Sequence, residues 1–146
     1  MLEEWLGKLR RWCSMQERSE WDARQKLKRL GASDTEAEQV IQALVVEDFL
    51  SETRFLESYI RTHLEHKKWG PAKIANGLIS KGFASSRAWE ALRKWDQEDF
   101  DCVLQALVAR RSGELDVDRE RVIRFLINKG FSLEAILKCI DAVRTR

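Results

Sequence analysis

The chain has two histidines, His63 and His66, three residues apart on a stretch whose apolar spacing predicts a helix. Two imidazoles on adjacent turns could share a metal ion. No cysteine and no third histidine stands close in sequence to complete the set, so ordinary half-buried histidines are the better reading, and neither a metal nor any other cofactor is expected. Cys13, Cys102 and Cys139 are odd in number, widely spaced and each set in an apolar helical context. That points to reduced thiols and a cytoplasmic setting rather than a disulfide framework. No glycine-rich phosphate loop occurs, and no nucleophile, histidine and carboxylate fall into a catalytic pattern. The chain is expected not to be an enzyme.

What is left is charge. The formal net charge of +2 hides an uneven distribution. Residues 1–48 carry eight Lys/Arg against ten Asp/Glu, residues 49–95 nine against four, and residues 96–146 nine against ten. The middle third is therefore the candidate for an anionic partner. Its cations include Arg54, Arg61, Lys67, Lys68, Lys73 and Lys81. Any one of them is better read as a solvated helix position with an i, i+4 partner. As a group they could contact phosphates or an acidic protein groove. A second cluster, Arg24, Lys26, Lys28 and Arg29, would extend the stripe, whereas reversing Arg110, Arg111, Arg144 and Arg146, off this face, should matter less. Trp69, beside Lys67-Lys68, could stack on a base, but a tryptophan before Gly-Pro more often plugs a turn between helices. Trp5, Trp12 and Trp95 fall on apolar stripes and are expected in the core; Trp21 or Trp89 is the candidate for an exposed partner contact.

Helices must position these groups. With 44% apolar and 34% charged residues, one proline and no sustained strand-type alternation, the 146-residue chain reads as ordered and all-α. No uncharged apolar window is long enough for a transmembrane helix, and the start lacks the basic and apolar regions of a signal peptide. Leu2, Trp5, Leu6, Leu9, Trp12 and Cys13 predict a helix over 2–17. Ser19 caps a second helix to about Arg29. Ser33 and Glu36 form a capping box for a third, which buries Ala37, Val40, Ile41, Leu44 and Val45. Ser51 caps the next, with Phe55, Leu56, Tyr59, Ile60, His63 and Leu64 on one face. Gly70 is expected to close it, and Pro71 to open a helix carrying Ile74 and Leu78 as far as Lys81-Gly82. Further on, helices are predicted over 97–111, with Phe100, Val103, Leu104, Leu107 and Val108 inward, and over 119–129. A last helix over 132–143 carries Leu133, Ile136, Leu137, Ile140 and Val143. Ser112–Asp116 reads as a loop.

The helices repeat. Gly31, Gly82 and Gly130 are spaced by 51 and 48 residues, each 12 residues after a cap at Ser19, Gly70 or Asp118. Four residues before each glycine stands Leu27, Leu78 or Leu126, and eight before stands Ala23, Ile74 or Val122. Trp5, Leu56 and Leu104 match further upstream, as do Leu9, Ile60 and Val108. Glu47-Asp48-Phe49 recurs as Glu98-Asp99-Phe100. These coincidences predict three tandem three-helix repeats, 1–48, 49–95 and 96–146, stacked into an elongated, curved array suited to binding along a large partner.

The middle repeat resembles the RecX family, regulators of the RecA recombinase. The resemblance rests on Phe49-Leu50, Ser51-Glu52, Arg54-Phe55, Gly70-Pro71, Lys73-Ile74, Leu78 and Lys81-Gly82. It departs from the family at Ser51-Glu52, where two acids are favoured. Arg18-Ser19-Glu20 with Lys26-Leu27, and Arg124-Phe125-Leu126 with Lys129-Gly130-Phe131, look like the family's terminal repeats. The resemblance implies a monomeric modulator, without catalytic groups, that lodges along the RecA filament, in contact with the recombinase and with the single-stranded DNA backbone, and limits assembly or strand exchange. The alternatives are a helical-repeat DNA-binding protein, or an interaction scaffold with no recombinase partner.

Overall fold

A computed structural model describes residues 1–144, so the last two residues of the third predicted repeat, Arg146 among them, lie outside the described residues. Ten helices and no strand form the described part. They are α1 (Leu2–Met15), α2 (Glu20–Arg29), α3 (Asp34–Val46), α4 (Glu52–Glu65), α5 (Pro71–Ser80), α6 (Ser85–Lys94), α7 (Gln97–Arg110), α8 (Ser112–Val117), α9 (Arg119–Asn128) and α10 (Leu133–Arg144). Among the described residues no helix is long and apolar enough to cross a membrane. The fold is all-α.

The helix starts follow the predicted caps. The Ser19 hydroxyl accepts from the Asp22 N–H while the Asp22 carboxylate accepts from the Ser19 N–H, and Ser33 with Glu36 makes the same reciprocal pair. The Ser51 hydroxyl accepts from the Arg54 N–H at 3.2 Å, and the Asp118 carboxylate from the Arg121 N–H at 3.2 Å.

The helix ends explain the glycine repeat. Gly31, Gly82 and Gly130 have φ of 95°, 90° and 105°, a left-handed backbone that side chains disfavour. Behind them the N–H groups of Ala32, Phe83 and Phe131 donate to the carbonyls of Leu27, Leu78 and Leu126 at 3.0, 3.2 and 3.2 Å. The glycine N–H groups donate to Lys28, Ile79 and Ile127 at 3.1, 3.0 and 2.9 Å. This pair of bonds satisfies carbonyls that a helix end would otherwise orphan. The leucine four residues before each glycine is the residue whose carbonyl takes the longer bond, and its side chain is fully buried in all three cases. All twelve apolar positions matched across the repeats are at most 5% exposed. Gly82→Val should therefore cost about 1–3 kcal/mol, because a β-branched residue is strained at φ 90°. Thermal melting checks it; an unchanged midpoint would show that the turn does not need the left-handed conformation.

Several expectations are corrected. Ser112–Asp116 is not a loop but most of α8, held by the buried Leu115 and by the Arg111–Glu114 ion pair at 2.8 Å, three residues apart. A single mostly polar turn has too few apolar positions to show a helical period. Glu98-Asp99-Phe100 lies inside α7, whose cap is Asp96, whereas Glu47-Asp48-Phe49 is the turn after α3, so that sequence match is not a structural one. Val45 and Leu133 are exposed rather than buried, at 38% and 50%. Only Trp5 of the three expected core tryptophans is buried; Trp12 and Trp95 are half-buried, Trp21 is exposed and Trp89 half-buried.

The chain forms two compact units, Met1–Tyr59 and the part from Ile60 onward, with the division inside α4. In the first, α3 packs on both α1 and α2 around Trp5, Leu9, Leu27, Ile41 and Leu44. In the second, α5 packs on α6, α10 on α7 and α9, and α8 on α9.

Candidate partner-binding surface

α4 ends at Glu65, and the next five residues make a tight turn into α5. The Trp69 N–H reaches back to the His63 carbonyl at 3.0 Å, and Lys68 takes φ 59°, an uncommon conformation for a residue with a side chain. Trp69 plugs this turn. Its ring lies 4.7 Å from the His63 ring, centre to centre, and the Lys73 ammonium stands 4.6 Å from its own centre. A lysine over an indole face is attracted by the ring quadrupole, by about 0.5–1 kcal/mol where solvent is near.

The turn is fixed from the far side by backbone. The Gly70 N–H donates to the Lys129 carbonyl at 2.7 Å, and the Ala72 N–H to the Gly130 carbonyl at 3.0 Å. The glycine turn after α9 thus supplies acceptors to the first turn of α5, where N–H groups have no partner within the helix. A Cβ on Gly70 would stand 2.5 Å from the Gly130 carbonyl carbon. Gly70 is therefore not the stop of the preceding helix, as its position suggests. It is the extended cap of α5, at φ −85°, and glycine is required by this close approach.

The same docking carries the Lys129 side chain to the α4 end, where its ammonium donates to the Lys67 carbonyl at 3.1 Å. A concavity of about 450 Å³ opens there, lined by Lys67, Lys68, Arg110, Arg111 and Lys129 together with His66, Leu107, Phe125 and Glu114. Five cations face one carboxylate. Glu114 is already engaged, at 2.8 Å by Arg111 and at 3.8 Å by Arg121. The Arg111 guanidinium lies 3.6 Å over the Phe125 ring centre and the Lys129 ammonium 5.8 Å from it, so the half-buried phenyl ring underlies both. Partial burial, and then the charges of Lys73, Arg111 and Lys67, push the Lys129 ammonium below its usual value. Like charges are held together here without enough acid to offset them.

The other predicted cations stand elsewhere. Arg54 donates to Glu17 at 2.9 Å, to the Asp48 carboxylate at 2.9 Å and to the Asp48 carbonyl at 2.7 Å. Asp48 has φ 64°, so Arg54 braces a left-handed residue at the end of α3 and its charge is met. Arg24 is paired with Glu38 at 2.6 Å and Glu20 at 3.5 Å, and its hydrogen bond holds the Glu38 carboxyl below the usual carboxylate range. The Lys26 ammonium stands 5.3 Å from the Trp12 ring, and Lys28 and Arg29 are exposed on α2. Arg61 lies 5.5 Å over the Trp95 ring, and Lys81, half-buried, caps α5.

Lys67, Lys68 and Lys73 are thus the predicted residues that the structure gathers. Arg110 and Arg111, expected off the basic face, line the concavity, and Lys129 was not singled out as a binding residue. The signal was the Arg110-Arg111 pair closing α7 and the lysine that precedes Gly130 as Lys81 precedes Gly82. Averaging charge over the acidic last third hid both. Elsewhere, burial pushes the Cys13 and Cys139 thiols up, away from reactive thiolate character.

A family model described as RecX, second three-helix domain, matches residues 51–92, which include Lys67, Lys68 and Lys73. The regulatory protein RecX of Prosthecochloris aestuarii is 30% identical over 136 residues, covering 92% of this chain and 89% of that protein. The regulatory protein RecX of Pseudomonas putida is 35% identical over 115 residues, covering 76% and 72%. A crystal structure of RecX from Lactobacillus salivarius matches with a TM-score of 0.88 over 99% of this chain and 97% of that one, at 21% identity. A second crystal structure, of a regulatory protein RecX, matches with a TM-score of 0.83 at 22% identity, over 96% and 71%. These two likenesses bear on the fold.

Proposed function

The chain belongs to the RecX family, and from that premise we propose that it binds the RecA recombinase, free or assembled on single-stranded DNA, and limits its assembly and strand exchange. The observation that carries the reading is the concavity of the second unit, where five cations from the ends of α4, α7 and α9 face one carboxylate. A filament of protein on nucleic acid offers phosphates and acidic side chains at one surface, and such a cluster suits both. The protein acts by occupying its partner rather than by chemistry of its own. It works as a monomer in the cytoplasm, and the three repeats 1–48, 49–95 and 96–146 are the units laid against the partner.

The test is recombinase ATPase on single-stranded DNA, with and without substoichiometric amounts of this protein. The rate should fall several-fold, more than one-to-one titration of recombinase subunits allows. A rate unchanged at molar excess would contradict the proposal.

A further inference from the structure

We infer that the concavity between the ends of α4, α7 and α9 is a phosphate-binding site, a place for one or two phosphate groups. The inference rests on the recombinase-regulator reading for its setting and names the ligand chemistry of the same surface. Charge alone does not make the case, because cations also gather at helix C-termini to complement the backbone dipoles. Three helix ends meet here, each equivalent to about half a negative charge. Together with Glu114 they offset about two and a half of the five positive charges, leaving about two and a half unmet. A phosphodiester carries one negative charge, so one or two of them balance the remainder.

The geometry favours phosphate over scattered carboxylates. Arg111 is held flat by the Phe125 ring and by Glu114, which limits its freedom before any ligand arrives. Lys129 is placed by its bond to the Lys67 carbonyl, and the Gly70–Gly130 backbone docking fixes one wall against the other. Donors fixed in advance lose little entropy on binding, and a tetrahedral oxyanion accepts from several directions at once. Lys67, Lys68 and Arg110 are exposed at the rim.

The experiment compares the parent protein with a Lys67→Gln, Lys68→Asn, Arg110→Gln variant, all exposed positions, after circular dichroism establishes that both are folded. A matched control carries Arg93→Gln, Arg119→Gln and Lys138→Gln, which are exposed and outside the concavity. Binding of a fluorescent oligothymidylate is followed by anisotropy across a salt series, with pyrophosphate and poly-glutamate as competitors. The rim variant should lose about tenfold or more in affinity, and the slope of log affinity against log salt should fall by roughly two units, about 0.7 for each phosphate no longer neutralised. The control should keep both values. If pyrophosphate competes only weakly, the phosphate comes from a nucleic-acid backbone; if it binds as tightly as the oligonucleotide, the source is a small polyphosphate. Either result upholds the site. Stronger competition by poly-glutamate than by pyrophosphate would overturn it, as would equal binding by parent and rim variant, or no binding to any of the three. No recombinase is present, so failure here leaves the ATPase test of the regulatory reading untouched.

Discussion

Gly130→Ala should destabilise the protein by about 3–4 kcal/mol, whereas Gly31→Ala, in the same turn of the first repeat, should cost about 1 kcal/mol. Both glycines are left-handed, at φ 105° and 95°, so both substitutions meet backbone strain. They differ in their surroundings. Nothing lies within 4 Å of a Cβ added at Gly31. At Gly130 it would stand 2.6 Å from the Cβ and backbone nitrogen of Lys73 and 2.8 Å from the Gly70 carbonyl oxygen. Backbone cannot swing aside as a long side chain can. Relief requires α5 to withdraw from the turn, breaking the Gly70–Lys129 and Ala72–Gly130 hydrogen bonds, each worth about 1 kcal/mol net, on top of the strain. Urea denaturation of both variants measures the difference. Equal small losses would mean that the α9 turn and α5 are not seated backbone on backbone.

That comparison also marks how far the sequence could be read. The repeated glycines, the leucines four residues before them and the serine caps follow from rules that act within a single turn, and the predicted positions were right to within a residue or two. Gly31, Gly82 and Gly130 look alike because the local requirement is alike. Nothing local says that Gly130 meets Gly70 across the second unit, so Gly70 reads as a helix stop when its neighbour is 60 residues away. The basic site was half legible for the same reason. Lys67 and Lys68 stand out against few acids in the middle repeat, but Arg110, Arg111 and Lys129 join them only through the packing of α9 against α5. Arg54 and Arg24 failed in the opposite sense: their charge is visible in sequence, while Glu17 and Glu38, 37 and 14 residues away, are not recognisable as their partners.

Reversing charge at the rim of the concavity should have the largest functional effect. Lys67→Glu, Lys68→Glu and Arg110→Glu alter exposed side chains, so the helical content should persist. Each charge-assisted hydrogen bond removed from an interface is worth about 1.5–3 kcal/mol, and three together predict a loss of affinity beyond a hundredfold. The same reversal at Arg93, Arg119 and Lys138 should cost far less, because those positions are exposed outside the concavity. Arg54→Glu should behave differently again. It would remove the brace on Asp48 and lower stability, with any loss of binding following from that.

The most direct measurement is binding of the rim-reversed protein to RecA filaments on single-stranded DNA, by anisotropy at two salt concentrations, beside the parent and the outside control. Parent and control should bind tightly and weaken as salt rises, while the rim-reversed protein, folded by circular dichroism, should bind at least a hundredfold more weakly. A folded rim-reversed protein that binds like the parent at both salt concentrations would contradict the assignment of this surface to the partner.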